Sequence, residues 1–114
     1  MKKKDACKTL SDPHDLNAAV KCEDGVFVLF YATWCPFCQA FLPEFLKSAD
    51  VCPTGHARIA IDDLDDVVDN YSIEVYPTVL YFKKGCVVKR LDGVYHRGLD
   101  GKMLTAFINS CGKS

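Results

Sequence analysis

Residues 26–38 read VFVLFYATWCPFC, and this stretch decides the fold. Its first six residues, 26–31, are an unbroken run of β-branched, aliphatic and aromatic side chains, which predicts a central strand buried on both faces. The run leads through Trp34 into Cys35, and Pro36 suits the first position of a helix. The sequence therefore predicts a buried strand, a short turn, and a helix that begins at a pair of cysteines.

The segments on either side alternate between strand and helix patterns, which argues for an α/β fold. The predicted order is βαβαβαββα, a central mixed sheet with helices on both faces, and the length predicts a single domain over residues 1–114. The predicted strands lie at 6–10, 26–31, 57–61, 78–82 and 86–91; the predicted helices start at Asp12-Pro13, at the cysteine pair and at the acidic run 62–66, with a last one around 103–108.

The helix that follows the cysteines has a clear apolar periodicity. Phe37, Phe41 and Phe45 recur every four residues, which predicts one broad buried face. Pro43 lies inside this helix and is expected to kink it, because proline removes a helical hydrogen bond.

The bulk composition argues against several partners and locations. A net charge of −1 over 114 residues gives no field that favours nucleic acid or an anionic membrane. The longest apolar run, 26–32, is far shorter than the roughly 20 residues of a membrane helix. The lysines at 2–4 are not followed by the apolar stretch of a signal peptide. We therefore expect a soluble, cytoplasmic protein.

Seven cysteines are many for this length, and their number is odd. Only Cys35 and Cys38 are close in sequence, and the other five cysteines occur singly along the chain. Single, scattered cysteines favour structural thiols in a reducing compartment over a disulfide scaffold. The loop 52–55 offers the first thiol for dimerisation, but a monomer is expected. The scattered cysteines, whose roles the sequence leaves open, are Cys7, Cys22, Cys52, Cys86 and Cys111.

A Cys-x-x-Cys pair has three common interpretations. A zinc site needs a second Cys or His pair, and the chain has none, so no metal site is predicted. Covalent haem needs a histidine after the second cysteine, where this chain has Gln39. Redox chemistry remains, and the position of the pair at a helix start favours it.

That position suits thiol–disulfide exchange. Backbone N–H groups and the helix dipole stabilise a thiolate at Cys35, the expected nucleophile. Cys38 lies one helical turn further in and can attack a mixed disulfide formed at Cys35, which makes it the expected resolving thiol. Trp34 is expected to flank the site with a flat contact surface, the alternative being that it packs in the core.

The motif Trp34-Cys35-Pro36-Phe37-Cys38, placed after Phe30-Tyr31-Ala32, resembles the active site of the thioredoxin family. The resemblance covers residues 6–111. Further matches are Pro43 as the helix-kinking proline, Tyr76-Pro77-Thr78 as the cis-proline loop, Gly85 and Gly93 as turn and late-strand glycines, and Arg58 and Asp62 as the charged pair of the third strand.

This resemblance implies a thioredoxin fold and a disulfide oxidoreductase. The chain would need no cofactor beyond a redox-active Cys35–Cys38 disulfide, and its partners would be protein disulfides and a reductase that recharges the dithiol. Trp34, Pro36 and Phe37 would flank the pair. The substrate would bind at Tyr76, at a cis Pro77 and at Gly93, with the Tyr76 backbone pairing with a substrate strand.

The chain departs from the family at two places. Leu29 stands where thioredoxins carry a buried Asp and disulfide isomerases a Glu, so Cys38 lacks an adjacent carboxylate and we expect slow resolution, or another base such as Asp62 or Glu44. The residues between the cysteines, Pro36-Phe37, resemble those of glutaredoxins. They imply a reduction potential above the roughly −270 mV of thioredoxin, toward about −200 to −230 mV.

Two alternatives stay open at this point. One is a binding module that uses the same fold while its thiols remain idle, and the other is an exchanger of the glutaredoxin or disulfide-isomerase kind. Direction of flux cannot be deduced from the motif, because oxidase, reductase and isomerase share this site and differ mainly in potential.

Overall fold

The computed structural model describes residues 7–22, 25–52, 54–62, 64–94 and 97–112. The observed order βαβαβαββα confirms the prediction. The strands are β1 (Cys7–Leu10), β2 (Val26–Tyr31), β3 (Gly55–Ala60), β4 (Thr78–Lys83) and β5 (Cys86–Asp92), and the helices are α1 (Pro13–Cys22), α2 (Pro36–Val51), α3 (Asp65–Asn70) and α4 (Gly101–Gly112).

The five strands form one mixed sheet in the order β1-β3-β2-β4-β5. β3 pairs in parallel with both β1 and β2, while β4 runs antiparallel to β2 and to β5. β2 therefore lies at the centre of the sheet, and the turn at its carboxyl end, which leads into α2, stands at a crossover between parallel and antiparallel halves.

The unbroken apolar run of β2 is explained by cover on both faces. Val28 and Phe30 point into a core cluster completed by residues of α1 and α3. Phe27 and Leu29 point the other way, into a cluster with Phe41 of α2 and residues of α4. Because both sides of the strand are buried, no polar alternation is needed, and the predicted α/β architecture with helices on both faces is confirmed.

The apolar face of α2 is shorter than predicted. Phe41 and Phe45 are fully buried in the core, whereas Phe37 is 39% exposed and lies outside it. The prediction of one face through all three phenylalanines is therefore wrong at Phe37, whose side chain lies beside Gly98 instead of in the core. Pro43 lies inside a helix that continues through it, and the kink stays a prediction.

Strand β3 begins two residues earlier than predicted and includes a buried histidine. His56 is almost wholly buried, a hydrogen bond joins its Nδ1 to the Thr54 carbonyl at 2.9 Å, and Ser48 Oγ lies 3.0 Å from its Nε2. Satisfied in this way, a polar residue is accommodated inside the sheet between Phe27 and Phe45.

His56 makes stability depend on pH. Burial lowers the pKa of its imidazole from the ordinary value of 6.5. The unfolded chain therefore binds a proton at His56 that the folded chain resists, so this contribution to stability is lost as pH falls below about 6.5. In urea unfolding at about pH 7.5 and about pH 5.5, His56→Gln should show a smaller loss of stability on acidification than wild type. His14→Gln, at an exposed position, is the control, and an equal loss in wild type and His56→Gln would contradict the assignment.

Within the described residues, no helix combines the length and the apolar character that crossing a membrane requires.

Candidate active site

Cys35 and Cys38 flank the first turn of α2. Cys35 is the N-cap residue in extended conformation (φ −85°, ψ 119°), and Pro36 is the first helical residue. The Cys35 carbonyl accepts hydrogen bonds from the N–H groups of Cys38 and Gln39, each at 3.1 Å. The helix therefore starts at the nucleophile position that the sequence predicts, with proline where a missing N–H costs nothing.

Both thiols are more enclosed than the motif suggests. They are free in this structure and form a small cluster with Ala32, against which Tyr31 and Tyr76 pack. Cys35 is 5% exposed and Cys38 is 2% exposed. A substrate must therefore present its disulfide closely to reach Cys35, and Cys38 is accessible only from within the protein.

Cys38 is strongly biased toward the neutral thiol. Burial raises the pKa of Cys38 to about 12, a hydrogen bond from the Ala32 backbone opposes this, and the Cys35 sulfur and the Asp62 carboxylate add to it. Leu29, which the resemblance places where relatives carry an acid, is fully buried and apolar. The environment of Cys38 is thus one in which a proton is difficult to remove.

The two acids named as alternative bases differ in position. Asp62 is close enough to Cys38 for its charge to raise the thiol's pKa. Glu44 lies instead against the start of α4, where a Cβ added to Gly101 would be 2.6 Å from its Oε1, and its carboxylate is 3.9 Å from Lys47 Nζ. Of the two, Asp62 is the carboxylate that acts on the thiol pair.

Asp62 also holds the turn before the cysteines, which the sequence did not predict. Its carboxylate accepts a hydrogen bond from the Thr33 N–H at 3.0 Å and another from the Thr33 hydroxyl. These bonds lower the pKa of Asp62. Gln39 Nε2 donates to the Thr33 carbonyl at 3.0 Å, so both polar groups of the Thr33 backbone are fixed.

The loop opposite the cysteines carries the predicted proline. The Tyr76–Pro77 peptide bond is cis, which confirms that expectation. The Thr78 hydroxyl donates to the Val75 carbonyl at 2.8 Å and closes the loop. Trp34 stacks edge-on against Tyr76 with ring centroids 6.0 Å apart and is 65% exposed, so the alternative of core packing for Trp34 is wrong.

Gly93 is needed for the close approach of strand β5 to this loop. A Cβ at position 93 would lie 2.6 Å from the Pro77 carbonyl oxygen and 3.3 Å from the Tyr76 carbonyl. Both neighbours are backbone atoms, so neither can move without displacing the loop. The structure thus gives Gly93 a positioning role; its contact with substrate stays a prediction.

Gly93→Ala should therefore impair the site. We expect kcat/KM for disulfide reduction to fall by about ten-fold or more, because small displacements of positioning groups have large kinetic effects. The free energy of unfolding should decrease by about 1–3 kcal/mol. Gly101→Ala is the matched control, since its Cβ would meet only the flexible end of Glu44. Equal kinetics for the two variants would contradict the role given to Gly93.

A second glycine, Gly98, lies in close contact with Phe37 of the motif. It has φ +73°, and a Cβ there would lie 2.8 Å from the Phe37 Cβ. Gly98 is held by paired backbone hydrogen bonds with Val94, at 2.7 and 2.9 Å. Trp34 and Phe37, which adjoin the two cysteines in sequence, are exposed and apolar, and so is Val94.

Within the described residues, no group of three or more His, Cys, Asp or Glu side chains is arranged to hold a metal ion.

The fold and the site together define a protein of the thioredoxin-fold class with an active-site dithiol. The family model described as Thioredoxin matches residues 8–109. The chain belongs to the thioredoxin family.

Individual relatives agree with this assignment. The chain is 34% identical over 85 residues to Thioredoxin-2 of Pyricularia oryzae, which covers 74% of this chain and 50% of that protein. It is 31% identical to endoplasmic reticulum resident protein 44 of Mus musculus, over 69% of this chain and 21% of that protein. The chain thus spans half or less of the length of these curated relatives.

Solved structures show the same fold. The thioredoxin of Malassezia sympodialis superposes with a TM-score of 0.82 at 22% identity, over 96% of this chain and 94% of that one. Human ERp44 superposes with a TM-score of 0.76 at 27% identity, over 94% of this chain and 33% of that one.

Proposed function

We propose that this chain is a thiol–disulfide oxidoreductase that exchanges electrons with protein disulfides through Cys35 and Cys38. The observation that carries the proposal is the placement of both thiols at the start of α2, beside a cis-proline loop, with the exposed Trp34 and Phe37 next to them in sequence. Membership of the thioredoxin family and similarity to disulfide isomerases support it.

The reaction follows from the positions of the two sulfurs. The Cys35 thiolate attacks one sulfur of the substrate disulfide, forms a mixed disulfide and releases the other substrate sulfur as a thiolate, which takes up a proton. Cys38, after losing its proton, attacks the Cys35 sulfur and releases the second substrate thiol. The substrate has gained two electrons, and the protein is left with a Cys35–Cys38 disulfide for a reductase to reduce.

Substrate binding is proposed on the ring of apolar side chains around the cysteines. Trp34, which packs edge-on against Tyr76, would form one side, and the exposed Phe37 and Val94 would form the other. An extended segment lying between them would bring its disulfide to Cys35 and its backbone to Tyr76, in the manner of an added strand. The preferred substrate is therefore a disulfide in an extended segment with apolar neighbours.

Insulin reduction driven by dithiothreitol tests the proposal against the alternative of a binding module. The wild-type chain should accelerate precipitation of reduced insulin, and Cys35→Ser should have no effect above the dithiothreitol background. A wild-type chain without activity, whose Cys35 also fails to react with a thiol reagent, would favour the binding module.

The reduction potential decides the preferred direction of exchange. With Pro36-Phe37 between the cysteines, we expect the potential to lie above the roughly −270 mV of thioredoxin and toward about −200 to −230 mV. Equilibration with glutathione buffers, followed by quantification of the Cys35–Cys38 disulfide, measures it. A value at or below that of thioredoxin would overturn the prediction and favour a strong reductant.

An isomerase-like exchanger is the second candidate, favoured by the similarity to disulfide isomerase A5 of Mus musculus and to endoplasmic reticulum resident protein 44.

A cytoplasmic location and a monomeric state are part of the first proposal. The scatter of single cysteines along the sequence supports a reducing compartment. Alkylation with a mass-tagged reagent in intact cells tests the location. In an oxidising compartment the cysteines would be held in disulfides and would not be alkylated.

A further inference from the structure

A cavity of about 520 Å³ lies at the end of the molecule away from the active site, between the carboxyl ends of α2 and α4. α2 begins beside Cys35 and runs for 16 residues to Val51 at the rim of this cavity, a distance of about 24 Å. The floor and sides include Phe27, Tyr81 and Ile108. The volume falls within the range of small-molecule sites.

Two thiols, one at the end of α2 and one in α4, line this cavity. Cys52 caps the carboxyl end of α2, where its N–H donates to the Ser48 carbonyl at 2.9 Å, and it is half-buried. Cys111 lies in the last turn of α4 and is 8% exposed. Both sulfurs belong to residues at helix ends, where a segment moves more easily than within a helix.

We propose that this cavity is a second thiol site, in which Cys52 and Cys111 exchange with small disulfides of the glutathione type. The site is separate from the Cys35–Cys38 pair and does not depend on its function. Besides the two sulfurs, the cavity offers hydroxyl and amide side chains at Ser48, Thr105 and Asn109 that suit the peptide groups of such a ligand.

The charge near Cys111 suits a ligand that carries carboxylates. Lys89 Nζ lies 3.3 Å from the Ser110 hydroxyl, and its charge acts on the neighbouring Cys111 sulfur. Apolar walls from Phe27 and Ile108 suit the aliphatic part of a small thiol peptide. This pairing of a cation with apolar and hydroxyl surfaces favours a small peptide disulfide over a purely apolar ligand.

The exchange proceeds in two balanced steps. The Cys52 thiolate attacks one sulfur of the small disulfide RS–SR, forms a Cys52–SR bond and releases RS⁻. The Cys111 thiolate then attacks the Cys52 sulfur, forms a Cys52–Cys111 bond and releases the second RS⁻. The two cysteine protons end on the two released thiolates, and the two electrons lost by the protein have reduced the small disulfide.

The division of roles follows from accessibility. Cys52 is the more exposed thiol and meets the ligand first, whereas Cys111 is enclosed. Burial raises the pKa of Cys111, with partial opposition from Ser110 and Lys89, so the second step is the slower one. The mixed disulfide at Cys52 therefore accumulates before the internal disulfide forms.

The test treats the full chain carrying Cys35→Ser and Cys38→Ser with glutathione disulfide and follows each cysteine by peptide mass spectrometry. Cys86, exposed on β5 and outside the cavity, is the internal reference. We expect modification at Cys52 to be several-fold faster than at Cys86, to saturate with glutathione disulfide, and to convert slowly to a Cys52–Cys111 disulfide. Cys111→Ser should block the conversion and leave the mixed disulfide in place.

Two neighbouring substitutions on α4 separate a cavity effect from general reactivity. Thr105 and Ala106 are both exposed, but only Thr105 lines this cavity. Thr105→Phe should slow modification at Cys52 several-fold and leave Cys86 unchanged, while Ala106→Phe should change neither rate; circular dichroism checks that both fold. A rate at Cys52 no higher than at Cys86, equal effects of the two variants, or no Cys52–Cys111 disulfide would overturn the proposal.

Discussion

Replacing Cys38 by serine is expected to convert the protein into a trap for its substrates. Cys35 would still attack a protein disulfide, but the neighbouring sulfur that releases the mixed disulfide would be missing. Turnover in the insulin assay should fall by about two orders of magnitude or more, and in a parallel reaction without dithiothreitol a covalent adduct should accumulate at Cys35. Non-reducing electrophoresis should show the adduct, and dithiothreitol should dissolve it.

The geometry explains why Cys52 and Cys111 would not rescue this variant. Cys38 shares a cluster with Cys35 and Ala32, whereas Cys52 and Cys111 line a cavity at the other end of α2. Serine is close to cysteine in size, so the buried site should keep its packing. Turnover close to that of wild type in Cys38→Ser would show that substrates release themselves and would remove the resolving role from Cys38.

Controls distinguish trapping from general loss of reactivity. Cys35→Ser should yield neither turnover nor adduct, because the attacking sulfur is gone. Cys86→Ser removes an exposed thiol on β5 outside the active site and should leave turnover unchanged. An adduct that persists in Cys35→Ser would mean that another cysteine captures substrate.

Local patterns were enough to predict the elements and the thiol pair. The apolar run of β2 and the four-residue spacing of Phe41 and Phe45 are local patterns in the sequence. They predict a strand and a helix without any knowledge of what packs against them. The position of Cys35 at the start of α2 follows in the same way from Pro36. Their reliability comes from interactions within a few residues.

What escaped prediction depends on residues far apart in sequence. The carboxylate of Asp62 accepts a hydrogen bond from Thr33, which is 29 residues away in sequence. Gly98 lies against Phe37 of α2, a residue also remote from it along the chain. No periodicity reports such pairs, and the period of α2 could not show that Phe37 lies outside the core. The near-complete enclosure of Cys35 likewise arises from packing that only the assembled fold creates.

Leu29→Asp is expected to accelerate the resolving step by about ten-fold or more. A carboxylate at this place can accept the Cys38 proton, and a positioned base contributes about 10²–10⁴-fold in favourable cases. Burial otherwise keeps Cys38 protonated, with a pKa raised to about 12. Stopped-flow fluorescence of Trp34, the single tryptophan, reports the conversion of the mixed disulfide to the Cys35–Cys38 disulfide.

The structure also offers the new carboxylate a partner. Leu29 pairs in register with Arg58 on β3, and the Arg58 Nε is buried without a hydrogen-bond partner. An aspartate at position 29 would place an acceptor on the neighbouring strand, which offsets part of the cost of burying a charge. Loss of the leucine side chain still leaves a cavity, so unfolding should become easier by about 2–5 kcal/mol.

Leu29→Asn isolates the charge from the change of shape. Asparagine has nearly the volume of aspartate but no basic oxygen pair, so it should lose stability while leaving resolution at the wild-type rate. In wild type and Leu29→Asn, the rate should rise steadily with pH above neutrality, because the buried thiol must first lose its proton to solvent, whereas in Leu29→Asp this dependence should weaken. An unchanged resolution rate in Leu29→Asp would show that Cys38 already has an effective base. Asp62, whose charge acts on the Cys38 thiol, would then be the candidate for that base.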